Sequence, residues 1–256
     1  MDKNKRKQYW GKDYVDYWKN KVQEVNVLLD VKDPTSTDAV YIRMIDTLNI
    51  KPTDVVLDVG CGFGRSLPYL SCSAKKVVGV DISSEMIKEA EKLTSSCNNI
   101  TLQVSESEDM DIEDSSIDKV ICFAAFDAMY QKKALIEFNR ICKIGGAVLL
   151  TGKNDNFMCD DKEARLAELG ARKKNHPNFF TNVSLLIRSM HLFGFKVEFE
   201  EYYLKRGDFS TDRIVKNKPE HFYEYMFLLK KINSPSTIHN ASNQSCPSDI
   251  VKPNSP

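Results

Sequence analysis

Residues 55–64 read Val-Val-Leu-Asp-Val-Gly-Cys-Gly-Phe-Gly, and no other stretch restricts the fold so strongly. Val55, Val56 and Leu57 suit a strand buried on both faces, as in a parallel sheet covered by helices. The acid Asp58 follows, then glycine at every second position: Gly60, Gly62 and Gly64. Such a run lets the chain turn tightly and bring its backbone against a ligand. Cys61, between two of the glycines, is small enough for the same turn. A dinucleotide turn, G-x-G-x-x-G, requires glycine where this chain has Arg65. A phosphate-cradling loop needs Gly-Lys-Ser/Thr, which does not follow. An acid at the strand end repels pyrophosphate and suits a cationic ligand.

A second apolar run, Val77-Val78-Gly79-Val80, ends in Asp81-Ile82-Ser83. Asp81 lies about 20 residues beyond the glycine loop, the spacing at which an acid reaches a ribose diol in a βαβ unit. Two hydroxyls on one carboxylate make charge-assisted bonds of roughly 1.5–3 kcal/mol each. Ser83 reads as the N-cap of a helix with Met86, Ile87 and Ala90 on one face. Ile100, Leu102 and Val104 alternate as a third strand, followed by the acidic stretch Ser105–Met110. Ile117–Phe126 reads as a fourth strand with small residues, Ala124 and Ala125, at its end, and Gly145-Gly146 precedes a fifth, Ala147–Leu150.

In this order and spacing, residues 54–151 resemble the class I S-adenosylmethionine-dependent methyltransferases, whose first motif is D-x-G-x-G-x-G. The resemblance implies a Rossmann-like α/β fold, with a seven-stranded, mostly parallel sheet flanked by helices. It implies S-adenosylmethionine as cofactor, with Gly60, Cys61, Gly62 and Gly64 shaping the donor loop. Asp58 would hold the methionine end, directly or through water, and Asp81 with Ile82 the ribose. Glu106 would accept from the adenine amino group while Ser107 offers backbone to the ring. Phe123, Ala124 and Ala125 would line the methionine part, leaving room for the sulfonium and its methyl group. Two positions depart from the family pattern: Ser105 replaces the usual Gly, and Glu106 is longer than the usual Asp. Glu108, Asp109 and Asp111 read as a solvated acidic loop.

Lys plus Arg and Asp plus Glu both number 36, so the net charge is zero and no long-range field draws the chain to nucleic acid or a membrane. No apolar run approaches the ~20 residues of a membrane span. The lysine-rich N-terminus lacks a signal peptide's apolar centre, so a cytoplasmic protein is expected. Seven cysteines without a C-x-x-C pair fit reduced thiols. No Cys/His cluster has zinc spacing, and Asp155, Asp160 and Asp161 lack a calcium pattern, so no metal is expected.

Residues 1–50 are expected to form an N-terminal helical cap. Aromatics from Tyr9 to Trp18 fall near helical spacing within 8–30 and could cover the donor as a lid. A second helix should run from Thr37 to about Leu48, with Val40, Met44, Ile45 and Leu48 inward. Residues 51–232 form the expected catalytic domain. Its later elements are a helix over Ser184–Phe193 stopped by Gly194, a strand through Phe195, Val197 and Phe199, and a last strand over Phe222–Leu229. The long connections Thr151–Asn182 and Arg206–Pro219 should sit above the carboxyl ends of the strands. Residues 233–256, rich in Ser, Asn and Pro, read as a disordered tail.

A small-molecule acceptor is expected, an oxygen of a sugar or related metabolite. A hydroxyl acceptor benefits from a general base. By residue type the candidates are His176 and Asp127. His176 reads equally as a loop histidine before a turn-forming proline, and Asp127 as a helix N-cap. Phe126 and Tyr130 would lie near the acceptor. The alternatives are carbon or nitrogen methylation of a quinone, lipid or amine, and a non-catalytic donor-binding protein. Nothing in the sequence bears on subunit number.

Overall fold

The computed structural model describes residues 10–11, 14–16, 37–173 and 179–233. Seven strands form one sheet in the order β3-β2-β1-β4-β5-β7-β6. They are β1 (Val55–Val59), β2 (Lys76–Asp81), β3 (Ile100–Val104), β4 (Ile117–Cys122), β5 (Cys142–Lys153), β6 (Phe195–Tyr203) and β7 (Glu224–Lys231). Strand β7 runs antiparallel to both β5 and β6, and the other pairings are parallel. The expected mixed, Rossmann-like α/β sheet is therefore present.

Two apolar layers cover the sheet. On one face, α4 (Gln131–Ile141) and α6 (Val183–Ser189) pack over Leu57, Val78, Val120, Val148 and Phe227. On the other, α1 (Thr37–Thr47), α2 (Leu67–Ser71) and α3 (Ser84–Leu93) pack over Val56, Val77, Ile121, Leu149 and Met226. Adjacent residues of each central strand thus feed opposite layers, which is why those strands read as unbroken apolar runs. The edge strand β3 departs from this: Val104 is 50% exposed, so its apolar alternation does not correspond to a buried face throughout.

Local expectations hold at several places. Val40, Met44, Ile45 and Leu48 are buried along and just beyond α1. Ser83 caps α3, its hydroxyl accepting from the Met86 amide. Gly194, at φ 76°, ends the turn that follows α6. Three differ. The Thr151–Asn182 connection contains a helix, α5 (Lys162–Lys173). Gly145, at φ 77°, lies within β5 as a bulge, between the register pairs Ile117–Cys142 and Lys119–Ala147. The last strand starts at Glu224, because the Phe222 carbonyl is occupied by the side chain of Asn154. Most of the expected 8–30 helix, His176 and nearly all of the 233–256 tail lie outside the described residues; residues 14–16 form a helical turn.

Helix α1 is tied to the far side of the sheet. The Arg43 guanidinium donates to both carboxylate oxygens of Glu201 on β6, at 3.0 and 2.9 Å, and to Asp212 at 2.7 Å. This bidentate geometry fixes the helix that carries Tyr41.

Candidate functional site

Strand β2 ends in Asp81 and β1 carries Asp58 one residue before its end, and the carboxyl ends of both strands open into a cavity of about 250 Å³. The turn after β1 crosses toward β2, the Gly60 and Cys61 amides donating to the Val80 carbonyl at 2.7 and 3.1 Å. Gly60 (φ 71°) and Gly62 (φ 56°) both occupy the left-handed region. A Cβ on Gly60 would lie 2.6 Å from the Ala125 Cβ, so the close approach of this turn to the end of β4 also demands glycine. Gly64 does something else. It is not in the cavity wall, and its missing side chain lets the turn pack on Ala90 of α3 and Leu67 of α2.

Asp81 is held by the turn it faces. Its carboxylate accepts from the Gly62 amide and the Ser83 amide, both at 2.9 Å. Each carboxylate oxygen has two lone-pair sites, so acceptor capacity remains for a ligand's hydroxyls. Burial raises its pKa, opposed by the amides of Ser83, Gly62 and Ile82. Asp58 is only 4% exposed and accepts from the Ser66 hydroxyl. Burial pushes its pKa up to about 6, with the Ser66 bond opposing and the Asp81 charge adding. Burial, with the charges of Asp81 and Asp58, holds the Cys61 thiol protonated, so it is a wall residue rather than a nucleophile.

Of the cofactor residues expected from the sequence, Asp58, Gly60, Cys61, Gly62, Asp81, Ile82, Ser107 and Phe123 line this cavity. Ala124 and Ala125 line it too. Ala124 is a non-glycine residue at φ 49°, held there by its amide donating to the Thr151 hydroxyl at 2.8 Å. Glu106 lies between two wall residues, Ser105 and Ser107, but is itself outside the wall and bridges to Asp109. Glu108 is more than a solvated acid, because it accepts from the Tyr130 amide at 2.6 Å.

Of the other wall residues, Trp10 and Tyr14 fall among the N-terminal aromatics expected to lie over the donor, whereas Tyr41 had no sequence signal. Trp10 and Tyr14 reach the cavity from the N-terminal segment, where the Trp10 carbonyl accepts from Ser83 Oγ at 2.5 Å. Val15 packs with Phe63 and Met86. Tyr41 of α1 stacks on Phe123, ring centroids 4.5 Å apart and planes 10° apart. Its hydroxyl lies among carboxylates: burial and the charges of Glu224, Asp58 and Asp127 raise its pKa.

Asp127 is not a helix N-cap. It sits inside a 3-10 turn (Phe126–Ala128), is buried, and its carboxylate is paired with the Lys153 ammonium. Burial works against the Lys153 charge, but Asp127 outweighs it and the lysine pKa is raised. Phe126 is fully buried in the core beneath. His191 is exposed, and His221 is exposed beside Asn156, its Nδ1 3.1 Å from that side-chain oxygen. Among the described residues, no cluster of His, Cys, Asp and Glu has metal-site geometry, and no helix is long and apolar enough to cross a membrane.

Two adjacent strands that each carry a carboxylate near the carboxyl end, with a glycine turn between them, have the layout of a nucleoside-binding α/β site. Residues 57–150 match the family model described as a methyltransferase domain. An uncharacterized protein of Methanocaldococcus jannaschii is 36% identical over 119 residues, 44% of each chain. A malonyl-[acyl-carrier protein] O-methyltransferase of a Marinomonas species is 28% identical over 151 residues, 58% of this chain and 55% of its own. An uncharacterized RNA methyltransferase of Oceanobacillus iheyensis is 29% identical over 111 residues, 41% of this chain and 24% of its own. The chain therefore spans less than two thirds of each of these relatives. Among solved structures, geranyl diphosphate C-methyltransferase from Streptomyces coelicolor superposes with a TM-score of 0.61 at 14% identity, covering 76% of this chain and 79% of that one. Residues 57–150 are thus a methyltransferase domain, and the sheet around them has the Rossmann-like fold of the class I S-adenosylmethionine-dependent methyltransferases.

Proposed function

We propose that this protein transfers a methyl group from S-adenosylmethionine to a hydroxyl oxygen of a small molecule, a sugar or related metabolite. The observation that carries the donor half is the pair of carboxylates, buried Asp58 and half-buried Asp81, facing one cavity beneath a glycine turn. The residues present suit that donor. Asp81, flanked by Ile82, takes the ribose hydroxyls, and Asp58 the ammonium of the methionine end. The Ser107 backbone and the neighbouring Glu106 serve the adenine, while Phe123, Ala124 and Ala125 border the methyl-bearing end. Trp10 and Tyr14 close the cavity from the N-terminal side and exclude water. The bound donor supplies an activated methyl group with its own leaving group, so the protein's remaining task is to position the acceptor.

Two features support a small hydroxyl acceptor. Net charge is zero, which gives no field for a nucleic-acid backbone. The acceptor flank is carboxylate-rich around Tyr41, which suits proton removal from oxygen. With its carboxylate paired to Lys153, Asp127 orients the acceptor rather than taking its proton. Residues 51–232 form the catalytic unit in this account, and 1–50 its cap.

The test is transfer of labelled methyl from S-adenosylmethionine into an extract separated into metabolite, glycan, lipid, protein and nucleic-acid fractions. Label in the metabolite or glycan fraction, in a base-stable ether, is expected. Label confined to nucleic acid, lipid or protein, or carried on carbon or nitrogen, would overturn the acceptor reading. Donor binding without label in any fraction would favour a non-catalytic role.

A further inference from the structure

We infer that Glu224 is the general base of the acceptor site, taking the proton of an acceptor hydroxyl that lies over Lys153, Glu224 and Tyr203 beside the Tyr41–Phe123 stack. This inference rests on the methyl-transfer reading above and names the group that reading leaves unassigned.

The argument begins with register. In the antiparallel pairing of β5 and β7, Lys153 stands opposite Glu224, and in that of β7 and β6, Tyr203 stands opposite Glu224. Residues directly opposite share a face, so the three side chains form one row across the sheet. The row stands at the end of the sheet where the parallel strands finish, because β7 runs the other way and begins there. Lower on the same strands, Leu149, Met226 and Leu228 belong to the layer beneath α1, which identifies the face. Tyr41, Phe123 and Tyr203 belong to that layer, and Phe209 joins it, its ring centroid 5.6 Å from Tyr41 and 5.0 Å from Tyr203. Tyr41 and Phe123 also line the donor cavity. Glu224 is therefore on the sheet face that the donor cavity's aromatic wall closes.

Its neighbours single it out. The other carboxylates of the region are engaged: Asp127 by Lys153, and Asp161 by the Ala164 amide at 2.9 Å and the Arg206 amide at 2.7 Å. Asp58 is engaged by Ser66. Among the described residues the Glu224 carboxylate has no hydrogen-bond donor. The groups acting on it are Lys153 of β5, Asp127 of the 3-10 turn, Arg206 of the β6–β7 connection and Asp161 ahead of α5. Tyr41 of α1 and Tyr223 at the entrance to β7 share its field. Burial pushes its pKa up to about 7; the two cations pull down and the two acids push up. A carboxylate titrating there is partly ionised at neutral pH and more basic than an ordinary glutamate.

The step balances. The acceptor oxygen forms its bond to the methyl carbon as the sulfur–methyl bond breaks, and the sulfur keeps that electron pair. The hydroxyl proton passes to the Glu224 carboxylate, and the carboxylic acid returns it to water after product leaves. The donor's positive charge and the glutamate's negative charge are both lost in the transfer, which a partly buried site favours.

The experiment uses the whole chain, S-adenosylmethionine and the variants E224Q and E224D. Carbon-detected NMR on protein with labelled glutamate side chains, assigned by difference against E224Q, follows the Glu224 carboxyl through pH 4–9. Glu224 is expected to titrate near neutrality and to move toward the usual carboxylate range when the donor cation binds. E224Q should keep donor affinity within about threefold. It should lose at least ~100-fold in label transfer to the fraction that the native protein labels, together with the acidic limb of the pH–rate profile, while E224D restores part of both. A native protein that fails to bind the donor would overturn the methyl-transfer reading. Donor binding with a Glu224 that titrates near an ordinary glutamate, or that ignores the donor, would overturn this inference alone. So would undiminished transfer by E224Q.

Discussion

Gly60 and Gly62 should respond differently to the same substitution. Both have left-handed φ, 71° and 56°, so Gly→Ala costs each about 1–2 kcal/mol in backbone strain. At Gly62 a Cβ meets nothing within 4 Å, and the cost ends there. At Gly60 it meets the Ala125 Cβ at 2.6 Å and the Met129 Cε at 3.5 Å. Ala125 has no rotamer to move, so the turn or the end of β4 must shift, adding about 1–3 kcal/mol. G60A should therefore be destabilised by roughly 2–5 kcal/mol and G62A by about 1–2. Urea unfolding followed by far-UV circular dichroism, with m held common, measures both. A further variant, G60A with Ala125→Gly, should regain most of the difference. Equal losses in the two single variants, or no recovery in the double, would refute the claim that contact with Ala125 demands glycine at 60.

Three further outcomes follow from charge. Donor affinity should rise from pH 5 to 7 and level off above, because Asp58, with its pKa at about 6, must ionise to hold a cation; calorimetry on D58N should show a flatter profile. The same raised pKa means that the folded protein without donor binds more protons than the unfolded chain between about pH 4 and 6. Stability from Asp58 is thus lost as pH rises through that window, by up to about 3 kcal/mol, and D58N should remove that slope. Lys153→Met should cost about 3 kcal/mol by leaving the Asp127 carboxylate buried without its cation, and adding Asp127→Asn should recover much of it in a double-mutant cycle.

The residues of the proposed donor half that line the cavity were legible because their signals are local. The acids of β1 and β2 end unbroken apolar runs, and Ser83 lies immediately before the helix it caps. Spacing alone could not separate Gly64, which serves helix packing, from the two glycines of the cavity wall. Helix α5 escaped notice because Ala164 is fully buried while Leu166 and Leu169 face outward, so its apolar pattern points to no core. Val104 misled because an edge strand can leave an apolar side chain in water. The proposed acceptor flank was legible only at Asp127 and Phe123. Tyr41, Lys153 and Glu224 are brought together by α1, β5 and β7, through pairings more than 70 residues apart that no local window contains. The one further signal was the charged pair at the outer ends of two apolar strands, where each strand leaves the core.

The donor site is the claim on which the rest depends, and calorimetry of S-adenosylmethionine with the native protein and D81A tests it most directly. The account predicts one donor per chain, and at least tenfold weaker binding by D81A, about 1.4 kcal/mol or more. No binding by the native protein, or equal affinity for the two, would contradict it.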